Sequence, residues 1–203
     1  GIWTAKKRYI LGVLNSEGVA YDKPKLKVMG IEAIKSSTPE PCRKKFHEIF
    51  YTLLYGEEED AQKFIKDFRK EFRNMRPEEI SFPRGVTSIN EYMDSKTLYK
   101  KGTPINSRAA ILYNHYIKKH NLENQYELIA PGSKIKFLYL KKPNPIKENV
   151  IGFPEYLPKE LGVDKYIDFD LQFEKAFLEP LKIILDSIGW TTEPQTTLEG
   201  FFA

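Results

Sequence analysis

Ala5-Lys6-Lys7-Arg8-Tyr9-Ile10 and Gly30-Ile31-Glu32-Ala33-Ile34-Lys35-Ser36-Ser37-Thr38-Pro39 bound the stretch whose reading decides the fold. Residues 5–14 are basic, aromatic and then β-branched, Asn15-Ser16-Glu17-Gly18 carries turn residues, and Val19-Ala20-Tyr21 returns, so a β-hairpin is predicted here. A hairpin alone is marginal in water and needs a sheet or helix beside it. From Pro39 the apolar spacing changes to that of a helix. Residues 1–45 hold ten Lys or Arg against four Asp or Glu, which leaves +6, while the remaining 22 cations and 24 anions leave −2. The net positive charge is therefore concentrated at this end, as in a chain that tracks a polyanion.

Working outward, Phe46, Ile49, Phe50, Leu53 and Leu54 share one helical face that Gly56 ends. A second helix opens on the acidic residues 57–60, as the helix dipole prefers, and carries Phe64, Ile65, Phe68 and Phe72 towards Pro77. Its cations Lys63, Lys66, Arg69, Lys70 and Arg73 interleave with Asp67 and Glu71 and read as a solvated face. Further on, Ile80-Ser81-Phe82 predicts a short strand, Pro83-Arg84-Gly85 a turn, residues 88–93 a helical turn, and Lys96, Lys100 and Lys101 an exposed, mobile basic loop. Pro104 opens a helix on which Ala109, Leu112, Tyr113 and Tyr116 share a face; residues 133–140 and 150–153 predict two strands. Residues 164–188 predict one long buried helix, kinked at Pro180, and after Gly189 a Thr/Pro linker leads to the end of the sequence. The fold class is α+β, mainly helical with a small sheet and a hairpin in front.

A lone cysteine, Cys42, forms no internal disulfide, and three scattered histidines complete no zinc site with it, so a reducing compartment and no structural metal are expected. No apolar run reaches the roughly 20 residues of a membrane helix and no signal-peptide pattern opens the sequence, which predicts a soluble intracellular protein without a membrane partner. On a strand, Lys7 and Tyr9 project to one face and Arg8 to the other, an arrangement suited to phosphates and minor-groove acceptors. Lys25 and Lys27, two apart on an extended segment, fit the same backbone or a charged sheet edge. Lys35, Ser36, Ser37 and Thr38 supply a cation and hydroxyls ahead of a helix, which reads as a phosphate site or as a plain helix cap. Asp168 and Asp170 form the only D-x-D pair and point apart on a helix, a surface reading. Gln195, Leu198, Phe201 and Phe202 fit Q-x-x-[I/L/M]-x-x-[F/Y]-[F/Y], the pattern of sliding-clamp-binding peptides, in which Leu and the Phe pair enter one apolar pocket.

Lys6-Lys7-Arg8-Tyr9, then Pro24-Lys25-Leu26-Lys27-Val28-Met29-Gly30-Ile31-Glu32, then Lys35-Ser36-Ser37-Thr38-Pro39 together resemble the palm-to-thumb junction of family B DNA polymerases, closest to those of T4-like bacteriophages. Gly132-Ser133-Lys134-Ile135-Lys136-Phe137 resembles the thumb strand of that family, and Tyr166-Ile167-Asp168-Phe169-Asp170 with Gln172 the helix after it. The resemblance implies a palm-edge hairpin over residues 1–28, a thumb over 29–190 and a flexible clamp-binding tail over 191–203. It also implies that Lys7 and Tyr9 match a Lys-x-Tyr motif touching duplex near the primer terminus. Arg108 falls in a segment similar to a Pro-x-His-x-Arg motif, with Asn106 where histidine is usual, and becomes a phosphate ligand. The D-x-x-S-L-Y-P-S and Y-G-D-T-D-S segments, whose aspartates hold two metal ions in the family, are absent from this sequence, so no catalytic or metal-binding residue and no cofactor is expected in it. By this reading Mg2+ belongs to the complete polymerase. The partners are primer-template duplex, a sliding clamp and the exonuclease, palm and fingers portion, all in the cytoplasm of a bacterial host. A free-standing nucleic-acid-binding protein and a metal-dependent nuclease built on Asp168, Asp170 and Glu174 stand as the alternatives.

Overall fold

Three strands rather than two open the chain in the computed structural model, which describes residues 1–195. Strand β1 (Ile2–Ala5), β2 (Arg8–Ser16) and β3 (Val19–Met29) pair antiparallel in the order β1-β2-β3. The two-residue turn between β1 and β2 is Lys6-Lys7, and Lys7 takes a left-handed φ of 64°. Lys7 is therefore not a strand residue sharing a face with Tyr9, as predicted; β1 is only four residues long and hides the turn from a periodicity reading. Glu17 and Gly18 make the second turn with φ of 51° and 81°, both positive as a tight two-residue hairpin turn requires.

Helix α1 (Glu40–Tyr55) and α2 (Glu58–Phe72) follow the predicted faces, burying Cys42, Phe46, Ile49, Phe50 and Leu53 on α1 and Ala61, Ile65, Phe68 and Phe72 on α2. Their rings meet those of Phe173 and Phe177: Phe46 and Phe177 lie 4.6 Å apart, Phe68 and Phe177 4.8 Å, and Phe72 and Phe173 5.2 Å. The last two pairs meet edge to face, a packing that adds to the area term of the core. These helices, residues 1–35 and the chain from Phe173 form one compact unit. Glu58 Oε1 accepts from the backbone N–H of Thr191 at 2.7 Å, so the segment after Gly189 is tied to α2 as far as Thr191 instead of leaving as a free linker.

Residues 36–39 and 75–172 form a second unit. It holds the short helices α3 (Pro77–Ile80) and α4 (Ile89–Tyr92), helix α5 (Ile105–Lys119), and the sheet β4-β7-β8. Its strands β4 (Phe82–Val86), β7 (Ser133–Tyr139) and β8 (Val150–Phe153) run antiparallel. Pro83-Arg84-Gly85 lies inside β4 and not in a turn; an edge strand tolerates the missing proline N–H. The expected mobile basic loop is a small hairpin, β5 (Met93–Asp94) and β6 (Leu98–Tyr99), closed by Asp94 Oδ1 accepting from the N–H groups of Lys96 and Thr97 at 2.9 and 2.8 Å. Gly152 of β8 faces Ala109 of α5 so closely that an added Cβ would lie 3.1 Å from its backbone, which fixes strand against helix. Gln172, fully buried, donates to Ile80 O at 2.7 Å and accepts from Tyr139 N at 3.1 Å.

The long helix predicted over 164–188 starts later, with α6 (Phe169–Phe173), widens into a π-helical stretch over Glu174–Leu178, and continues as α7 (Glu179–Ser187). Pro180 explains the widening, because it can neither donate to Ala176 nor fit an α-helical turn against it.

Candidate nucleic-acid interface

Register decides which side chains of the first sheet stand together. Trp3 pairs with Tyr9, Tyr9 with Met29, Leu11 with Lys27 and Val13 with Lys25, so these seven side chains share one face. The other face carries Ile2 and Ile10, both buried, and takes α1, whose Tyr51 hydroxyl donates to Pro24 O at 3.3 Å. Among the described residues no helix covers the first face: Trp3 is 61% exposed, Met29 46%, and Lys25 and Lys27 stand in solvent. Lys25 Nζ sits 4.1 Å from the centre of the Tyr21 ring. A row of lysines beside a row of aromatic and aliphatic side chains offers charge to phosphates and flat surface to sugars and bases.

Lys7 stands exposed at the tip of the β1–β2 turn. Arg8 is exposed on the face opposite Tyr9 and borders, with Thr4, Gly30, Glu32 and Ile183, an apolar pocket of about 220 Å³. Gly30 has φ of 67°, and a Cβ there would meet Lys7 O at a hypothetical 2.4 Å, so the turn that presents Lys7 requires glycine. Lys35 is occupied at the surface by Glu32, Nζ to Oε2 at 2.7 Å; hydrogen bonding to Lys35 holds the Glu32 carboxyl below its ordinary pKa. An exposed pair of this kind holds weakly and leaves Lys35 available to another anion.

The remaining predicted DNA-binding residues, Ser36, Ser37, Thr38 and Arg108, lie in the second unit. Ser36 is exposed and Ser37 half-buried, but Thr38 is buried at 8% exposure and withdrawn from any ligand, a difference invisible in three consecutive hydroxyls. Arg108 is half-buried, with Nη1 3.9 Å from Glu148 Oε2 and its guanidinium 5.8 Å from the Tyr99 ring. Tyr99 in turn donates to Glu148 Oε1 at 2.6 Å. Arg108 thus stands beside a carboxylate of its own unit at the outer limit of an ion pair. Asn106 donates to Gly85 O at 2.8 Å. Missed entirely is Arg84, placed in a turn by its neighbours' composition, whose Nη1 donates to Ser37 O. Gln195 is exposed; Leu198, Phe201 and Phe202 lie outside the described residues.

Among the described residues no three His, Cys, Asp or Glu side chains gather as a metal site. Asp168 Oδ1 caps a helix, accepting from Leu171 N at 3.0 Å, which does not fit it to hold Mg2+.

No known family model matches the chain. Along its whole length it is 31% identical, over 206 residues, to the DNA-directed DNA polymerase of Enterobacteria phage T4. It is 34% identical, over 207 residues, to the DNA-directed DNA polymerase of Escherichia phage RB69. In both cases it spans 22% of the relative's length. Over 196 residues, 95% of the chain, it is 24% identical to 14% of a DNA polymerase of Pyrococcus horikoshii.

Proposed function

From the premise that this chain is homologous throughout to one segment of the T4-like bacteriophage DNA polymerases, we propose that it is the palm-edge and thumb portion of a family B enzyme. The observation that carries this reading is the uncovered sheet face of Tyr9, Lys25 and Lys27 beside the Lys7 turn, in a chain whose net positive charge sits in the same stretch. It grips primer-template duplex through the sugar-phosphate backbone, without strong sequence preference. The catalytic aspartates and their Mg2+ belong to a palm segment that is not part of these 203 residues. The chain alone transfers no nucleotide.

Titrating labelled duplex at a series of salt concentrations tests the grip. Two to three lysines each on one phosphate give a log–log slope of about −2 to −3. Binding flat in salt, or strongly selective between duplex sequences, would refute it. The tail pattern at Gln195, Leu198, Phe201 and Phe202 is proposed to tether the polymerase to its sliding clamp. Replacing both phenylalanines with alanine should cost at least ~2 kcal/mol of clamp affinity, the loss expected of central aromatic anchors, and leave duplex binding unchanged. Equal clamp affinity in the double variant disposes of the tether.

A further inference from the structure

Between the β5–β6 hairpin, helix α5 and residues 128–129 lies a cleft of about 400 Å³ whose lining residues all belong to the second unit. Its floor is aliphatic: Ile89, Ile111 and Ile129 are buried, and Met93 and Leu98 wall it on the hairpin side. Leu98 holds a left-handed φ of 69°, a conformation that aliphatic residues rarely adopt and that clusters at ligand clamps and switch regions. Most polar groups at the cleft are spent on the fold itself. Asn114 donates to Ile129 O and accepts from Ile129 N, both at 2.8 Å, and Asp94 Oδ1 accepts from Lys96 N, Thr97 N and the Thr97 hydroxyl. Lys118 is not spent: it stands exposed at the rim and pairs with no carboxylate among the described residues. Burial, with Lys119 beside it, holds the His115 imidazole below its ordinary pKa, so at neutral pH the uncompensated charge of the rim is that of Lys118.

We propose that this cleft is a docking site for an acidic, leucine-rich segment of another protein, whose aliphatic side chains enter the floor while one of its carboxylates pairs with Lys118. A lone lysine at the edge of an apolar cleft is complementary to an acid beside an apolar anchor. Nucleic acid fits less well, because the lining offers no aromatic face on which a base would stack and no second uncommitted cation to follow a phosphate backbone. The cleft has room for a few side chains, so it holds a short segment and not a folded domain. The site does not depend on the duplex-gripping reading.

The full chain is titrated, with amide resonances as the readout, with a short leucine/glutamate peptide, a glycine/glutamate peptide of equal charge and a leucine/glutamine peptide of equal apolarity. The first should shift the resonances of Ile111, His115, Lys118 and Ile129 and bind about tenfold more tightly than either control. Met93→Ala and Lys118→Glu, both at exposed positions, should keep the parental circular dichroism and weaken the leucine/glutamate peptide about threefold and tenfold. Fixed resonances at the cleft, equal affinity for either control peptide, or parental affinity in Lys118→Glu overturns the site. Should a variant fail to fold, the comparison of the three peptides on the parent decides. Displacement of the bound peptide by duplex DNA would assign the cleft to nucleic acid and overturn the proposal as well. A parent that binds no duplex refutes the gripping reading alone, and the peptide titrations still decide this site.

Discussion

Cys42 sits fully buried on the inward face of α1, and burial alone pushes its thiol pKa up to about 12. The folded value lies above the ordinary 9.0, so this group favours folding below pH 9 and loses that contribution as pH rises towards 12. The thiolate is the reactive form, and the native protein should resist a thiol-specific reagent at pH 8 while the denatured chain reacts at once. Rapid labelling of the folded protein would place Cys42 at the surface instead. That Cys42 faces inward was legible, because it falls on the same helical period as Phe46, Ile49 and Leu53. The fate of Thr38 was not: adjacent hydroxyls look alike in a sequence, and only the path of the chain buries one and exposes Ser36. Arg84 was equally hidden, since Pro and Gly beside it read as a turn and their tolerance at a sheet edge depends on which strand pairs where.

At the scale of elements, β3 carries Lys23, Lys25 and Lys27 at alternate positions, all exposed, with Pro24, Leu26 and Val28 half-buried between them. Reversing Lys25 and Lys27 to Glu should therefore leave the melting temperature nearly unchanged. It should weaken duplex binding at least tenfold and flatten the salt slope by about 2, because two phosphate contacts are lost. A parental salt dependence in that double variant would mean that the duplex lies elsewhere. Elements of regular period were the legible ones, and α1, α2, α5, β7 and β8 stand within a residue or a few of their predicted limits. Irregular ones were not. β1 is too short to show alternation, and the π-helical stretch before Pro180 keeps an apolar spacing that a continuous helix would also show.

Across the whole molecule the two units divide the chain in a way no linear reading of composition supplies, because residues 75–172 fold together between two parts of the other unit. Each has its own anchor. Phe177 touches the rings of Phe46, Phe68 and Phe173, and Gln172 ties Ile80 to Tyr139. Phe177→Ala should destabilise by about 3–5 kcal/mol. Hydrogen exchange in that variant should accelerate first in α1, α2 and α7, with the β4-β7-β8 strands changing less. Acceleration spread evenly over both sets of elements would mean that the two units unfold as one. The late position of Phe173 and Phe177 also sets a timetable for biosynthesis. A ribosome emits every residue of the 75–172 unit before it emits the two rings that complete the α1–α2 core, so the apolar faces of the earlier helices wait uncovered while roughly a hundred residues are made, at about 5–20 residues per second. For some seconds of each synthesis the apolar faces of α1 and α2 stay open while residues 75–172 are already able to fold.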